Sequence, residues 1–355
     1  MAVAPMLQLQ FMSAAELAGQ ASLGPDGVLG AACFGIEPPA SLAALDLPLA
    51  CVRVAPLFAG ATPPVAAVCE VWTTAAPLRR GEHGRLRYRC SEEILFGTLS
   101  IPVADAEPVA ANMAPAMQRA AERAYAELFA AVEALGFPHL LRVWNHVPDI
   151  NGRSAGLEHY RLFNIGRQDA FLAFDRQIAG ASVPAASALG AQDGSALVVY
   201  CMAARRPAAA LENPRQISAY DYPRDYGPRA PTFSRANLAR IDGQSVLFIS
   251  GTASIVGHQT QHAGDAAMQA RETLRNIEAL LQQAARRGAA GLRLEHLHYK
   301  VYVRHAHDLP LVRAELERAA GGGARVLYLR ADVCRADLLV EIEAVAFPAE
   351  PESPC

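Results

Sequence analysis

Ile249-Ser250-Gly251-Thr252-Ala253-Ser254-Ile255 repeats the pattern of Leu95-Phe96-Gly97-Thr98-Leu99-Ser100-Ile101 at a distance of about 154 residues. Both are short apolar runs of the kind that form buried strands. A second pair follows at a similar offset: Val147-Pro148-Asp149-Ile150 matches Ala306-His307-Asp308-Leu309, about 159 residues apart. The elements around these anchors recur in one order. The first copy reads as strands at 86–90 and 93–101, a helix at 115–135, a strand at 140–147, a helix at 156–174 and a strand at 196–201. In the first helix Met117, Ala121, Ala124, Leu128, Val132 and Leu135 recur at three- and four-residue steps, with Pro115 suited to the first turn and Gly136 to the C-terminal cap. The second copy reads as strands at 237–242 and 246–255, a helix at 264–283, a strand at 298–305, a helix at 309–320, then strands at 325–329 and 338–347. A repeat this long is a duplicated domain rather than a solenoid. The order β-β-α-β-α-β lets helices cover one face of a mixed sheet, so the expected fold is α+β, with two tandem modules sharing a seam.

The remaining chain is placed around those modules. Residues 1–80, rich in Ala, Pro, Leu and Gly, are expected as an N-terminal extension packed on the first module, with short strands at 49–56 and 65–73 and a polar turn at Arg79-Arg80-Gly81-Glu82. The modules are then 81–212 and 235–349, with 350–355 as a tail whose Cys355 is expected to be exposed and inert. Between them, 213–234 is too rich in proline for helix or central strand. Its Tyr220, Tyr222 and Tyr226, with Arg215, Arg224 and Arg229, fit a stiff loop lining a cleft as well as they fit a linker.

Composition excludes several functions. Of 355 residues, 52% are hydrophobic and 19% charged, enough to bury two or three domains' worth of core. A net charge of −3 cannot neutralise a phosphate backbone, so no nucleic-acid partner is expected. No apolar run approaches the ~20 residues of a membrane span, so no membrane partner is expected either. The opening Met-Ala-Val-Ala-Pro does not read as a secretory signal, and the expected location is the cytoplasm. Seven scattered cysteines without a Cys-x-x-Cys pair argue against a disulfide framework or a zinc knuckle.

No phosphate loop, nucleophile elbow or dinucleotide fingerprint is present. His296-x-His298 and His305-x-His307 have the alternation of metal pairs, but nothing completes a ligand set, and no metal is expected. The stronger signal is Val340-Glu341-Ile342-Glu343-Ala344-Val345-Ala346, where period two puts Glu341 and Glu343 on one face of an apolar strand. One reading is an edge strand with a wet face. The other is a buried general acid holding its proton. Arg304 and Arg330 each end a strand of the same module and suit carboxylate binding, while Gly251 and Ala253 would let a ligand approach the backbone.

The segment 248–255 together with 340–346 resembles the RidA (YjgF)-type fold. Leu141-Arg142-Val143-Trp144-Asn145, Tyr160 through Gly166-Arg167, 215–220, Tyr226-Gly227-Pro228-Arg229 and 329–335 together resemble the chorismatases, over about residues 80–347. The resemblance implies a cofactor-independent, metal-free enzyme that removes pyruvate from chorismate in a cleft of the second module. It also implies a pseudo-trimeric arrangement, in which residues 1–80 complete the ring or the chain pairs with itself; monomer or homo-oligomer is left open. By the same resemblance Glu341 is the catalytic acid and Cys334, seven residues earlier, steers the ring or assists proton removal. Tyr160, Arg167, Tyr220, Arg229, Gly251, Ala253, Arg304 and Arg330 are the substrate-binding candidates. Cys334 goes with the hydroxybenzoate-forming groups and Ala253 with the hydrolytic one, a mixture that best suits a type making both 3- and 4-hydroxybenzoate. The alternatives are a chorismate hydrolase releasing a trans-dihydroxycyclohexadiene carboxylate, an imine hydrolase using Arg325, and a non-catalytic small-molecule binder.

Overall fold

A computed structural model describes residues 7–22, 27–37, 39–58, 66–104 and 114–348. The tail 350–355, with Cys355, lies outside the described residues. Among the described residues no helix is long and apolar enough to cross a membrane.

Three sheets form the body. The first copy builds six strands in the spatial order Ala185–Ala191, His139–Pro148, Leu197–Ala204, Ile94–Ile101, Leu86–Cys90 and Arg79–His83. The second runs Arg325–Arg330, His298–Val303, Val340–Ala346, Gln244–Ala253 and Ala236–Ile241, the same order through five strands, and then adds Ala209–Leu211 at the edge. In each, one parallel pair is flanked by antiparallel ones. Helices Ala116–Ala134 and His159–Ala173 cover the outer face of the first sheet, and Ala266–Arg286 and Leu309–Ala320 that of the second.

Residues 7–74 supply a third sheet, ordered Leu49–Val52, Val28–Gly35, Ala67–Thr74, Leu7–Ser13. This is the same four-strand arrangement without the outermost hairpin strand, and the helix after its first strand, Ala14–Ser22, has only nine residues. Short, small-residue elements carry little periodicity, which is why the sequence shows only scattered strands here. The expected turn at Arg79-Arg80-Gly81-Glu82 is instead the edge strand Arg79–His83, paired with Leu86–Cys90. The reversal comes at Gly84, whose φ of +57° suits glycine.

Each sheet turns its inner face to one common core, where Trp72, Trp144, Tyr200, Phe248 and Tyr302 meet. Trp144 stacks on Tyr200 with centroids 4.7 Å apart. A buried ionic network sits among these rings and joins all three sheets. Lys300 Nζ reaches Glu70 of the N-terminal sheet, donates to Tyr200 Oη at 2.8 Å and lies 2.6 Å from Glu343 Oε1. Arg142 Nη2 donates to Glu343 Oε2 at 2.6 Å. Trp72 Nε1 donates to Glu70 at 2.8 Å and Trp144 Nε1 to Glu343 at 3.1 Å, so the carboxylates are hydrogen-bonded as well as paired.

Candidate active site

The strand Val340–Ala346 is hydrogen-bonded on both sides, between Gln244–Ala253 and His298–Val303. It is not an edge strand, and Glu341 is only 4% exposed, which removes the wet-face reading. The pairing with Gln244–Ala253 slips by one residue between Ile249 and Thr252, a bulge at Ser250-Gly251. Bulges re-aim side chains next to functional sites. Here it brings the glycine under the acid: a Cβ on Gly251 would lie 1.9 Å from Glu341 Oε1. Gly97, its partner in the sequence repeat, faces Leu86 instead, so the two glycines do different work.

Glu341 opens into a cleft of about 410 Å³ between the two larger sheets. Tyr160 and Arg161, from the first turn of helix His159–Ala173, form one wall. Tyr222, Tyr226 and Phe233 of the proline-rich loop form another, and Ala253, Ile255 and the segment 334–337 close it. The loop therefore lines a cleft rather than acting as a free spacer. Burial, reinforced by the nearby Glu343 charge, raises Glu341 to about 8, so it is protonated at neutral pH; Arg142 and Arg235 oppose that rise without cancelling it. Burial also pushes the Cys334 thiol up to about 12, which leaves it protonated and a poor nucleophile.

Two arginines line the same cleft, Arg335 and Arg235. Arg335 lies over the Tyr226 ring at 3.9 Å and beside Tyr222 at 5.2 Å; its Nη1 donates to the His258 carbonyl at 2.8 Å. Arg235, 4% exposed, donates Nη2 to the Ile217 carbonyl at 2.7 Å and to Tyr222 Oη at 2.9 Å. Among the described residues Arg335 Nη2 and Arg235 Nε are buried without a hydrogen-bond partner. Buried donors left open this way are costly unless a ligand accepts from them.

Of the sequence candidates, Glu341, Cys334, Tyr160, Gly251 and Ala253 line this cleft. The other five do not. Arg304 is a structural brace, donating to the carbonyls of Leu338, Val333 and Arg335, to Asn151 at 3.0 Å and to Asp332 at 2.5 Å. Arg330 ends a strand whose next neighbour is Ala55, and its side chain is exposed there. Arg229 lies on the surface, 3.9 Å from Asp169. Tyr220 packs on the core of the first sheet. Arg167 is buried along its helix over the Phe163 ring at 5.1 Å and donates to Asn164 at 2.9 Å. Arg235 and Arg335 were missed. Arg335 directly follows Cys334, and Arg235 falls just beyond the loop boundary at 234. Of the paired histidines, His298 accepts from Arg325 at 2.7 Å, whereas His305 stacks on His307.

Among the described residues only one of the three sheets presents such an acid. The inner face of Leu197–Ala204 carries Val198, Tyr200, Met202 and Ala204, and Glu70 of the N-terminal sheet is tied to Lys300.

The family model for the N-terminal part of FkbO/Hyg5-like chorismatases matches residues 70–203. A 3-hydroxybenzoate synthase of Streptomyces hygroscopicus is 39% identical over 292 residues, covering 78% of this chain and 80% of that protein. A chorismatase of Streptomyces rapamycinicus is 38% identical, covering 78% and 81%. A chorismatase crystal structure superimposes with a TM-score of 0.81 at 30% identity, over 97% of this chain and 100% of that one.

Proposed function

This chain belongs to the chorismatase family, and on that premise we propose that it converts chorismate to a hydroxybenzoate and pyruvate, with Glu341 as the general acid. The observation that carries the reading is a buried, protonated carboxylic acid sharing one cleft with two arginines that have open donors. Chorismate has matching chemistry: two carboxylates, and an enol ether whose methylene carbon accepts a proton. Arg335 and Arg235 take the carboxylates. Glu341 delivers its proton to the methylene carbon, the double-bond pair forming the new C–H bond and the ether oxygen sharing the resulting positive charge. The glutamate, now an anion, stabilises that oxocarbenium ion across the cleft. Water adds to the cationic carbon and gives a proton to Glu341; the hemiketal then breaks its bond to the ring oxygen, which takes up a proton, releasing pyruvate and a dihydrodiol that loses water to become the hydroxybenzoate. Hydroxybenzoate and pyruvate together contain the atoms of chorismate and consume no net water; the dihydrodiol route consumes one water molecule.

The direct test is incubation with chorismate in the absence of added metal or cofactor, followed by chromatography. Pyruvate with 3-hydroxybenzoate, alone or with its 4-isomer, is the expected result; unchanged chorismate would sink the proposal. Arg335→Met is expected to raise KM by about 10- to 100-fold, the worth of a charge-assisted hydrogen bond, with a smaller change in kcat. Cys334→Ala is expected to shift product from hydroxybenzoate toward the dihydrodiol, because Cys334 lines the cleft without the acidity of a nucleophile. An unchanged product ratio would leave the thiol as packing.

A further inference from the structure

Glu343 takes no part in the chemistry above, yet it is the most elaborately held side chain near it. It lies two residues from Glu341 on the same inner face of one strand, where side chains repeat every ~7 Å. Five donors converge on its carboxylate: Arg142 and Ser187 at 2.6 Å, Lys300 at 2.6 Å, Trp144 at 3.1 Å and Tyr302 at 3.3 Å. Ser187 spans the gap, since its Cβ and the Glu341 carboxylate crowd the same hollow over Gly251. We propose that Glu343, fixed as a buried anion by Lys300 and Arg142, is the positioning residue that keeps the proton on Glu341. The inference rests on Glu341 being the acid.

The groups around Glu341 set the sign. On its own strand stands Glu343, whose charge disfavours a second anion nearby. From strand His139–Pro148 comes Arg142, and from just past the end of the loop Arg235; both favour loss of the proton. From helix His159–Ala173 comes Tyr160, from the preceding segment Cys334, and from strand His298–Val303 Tyr302. Burial raises all three, so they are neutral at physiological pH. Burial acts on Glu343 too, but Lys300, Arg142 and the Ser187 hydroxyl outweigh it and hold Glu343 below the ordinary carboxylate range. The device is a pair of carboxyls on one strand face, one forced to ionise and the other thereby kept protonated.

The test is the pH profile of kcat/KM from about pH 5 to about pH 10, which reports the acid of the free enzyme. The wild type is expected to lose activity as pH rises through about 8, because only the protonated Glu341 can donate. Glu343→Gln removes the opposing anion and moves that limb down by roughly one pH unit, about a fivefold loss at pH 8 that recovers in acid. Glu343→Asp keeps the charge and leaves the limb in place, while Arg142→Gln moves it up. A uniform loss of rate at every pH, with the limb unmoved, would show a merely structural role and overturn the proposal. If Glu343→Gln does not fold, Lys300→Met decides: losing that cation loosens the hold on the Glu343 anion and moves the limb down, and an unmoved or raised limb overturns the proposal. A wild type with no alkaline limb would instead defeat the assignment of Glu341 as the acid.

Discussion

Glu341→Gln is expected to cut pyruvate release from chorismate by about 10³-fold, within the range of a single general acid, while the fold survives. Glutamine has the same shape and supplies no transferable proton. It also removes the anion that would stand against the oxocarbenium ion after transfer, so two contributions disappear together. Stability should hold or rise slightly, because the native carboxyl is a buried acid raised to about 8. Sign follows from linkage: the folded state holds this proton more tightly than the unfolded one, so the wild type loses stability as pH climbs from the ordinary glutamate range through about 8. Glutamine does not titrate, and the variant should lack that component. Coupled detection of pyruvate gives the rate, and unfolding midpoints at two pH values give the stability. A variant that turns over near the wild-type rate removes Glu341 from the chemistry.

The acid was legible in the sequence because strand periodicity alone places Glu341 and Glu343 on one face, and an apolar strand makes a carboxylate there expensive. Whether that strand was central or at an edge was not, since its neighbours Gln244–Ala253 and His298–Val303 are set by tertiary pairing. The arginines show the same limit. Ending a strand does not say which way a side chain turns, so Arg304 became a brace for backbone carbonyls and Arg330 a surface group. Arg335 and Arg235 lie in irregular segments where no period assigns a face. The bulge at Ser250-Gly251 was also hidden. The glycine itself was flagged for close approach, but the object approaching is the Glu341 carboxyl. The third sheet was anticipated only through the resemblance and not from periodicity, because residues 7–74 carry the strand order of the other modules without their long amphipathic helices.

Lys300→Met is expected to cost about 3–5 kcal/mol, lowering Tm by about 5 °C in a chain of this size. Among the described residues the ammonium is the single cation shared by Glu70 and Glu343, and through Tyr200 it also touches the first sheet. Methionine fills the space but leaves two buried carboxylates with only Arg142 to balance them. The penalty is the uncompensated charge rather than the lost contact, and its pH dependence separates the two. In the wild type, Glu343 is held below its ordinary range, so its contribution is present at neutral pH and is lost as pH falls through its folded value. In the variant an unpaired carboxyl binds its proton more tightly when folded, so stability falls as pH rises. The gap between the two proteins should therefore narrow in acid and be widest near neutrality. A surface pair gives the comparison: Arg313→Ala breaks an exposed contact with Glu317 and should leave stability nearly unchanged. If Lys300→Met matched that small effect, or if its deficit were equal at all pH values, the network would be packing alone, and the three sheets would be held together by their shared aromatic core.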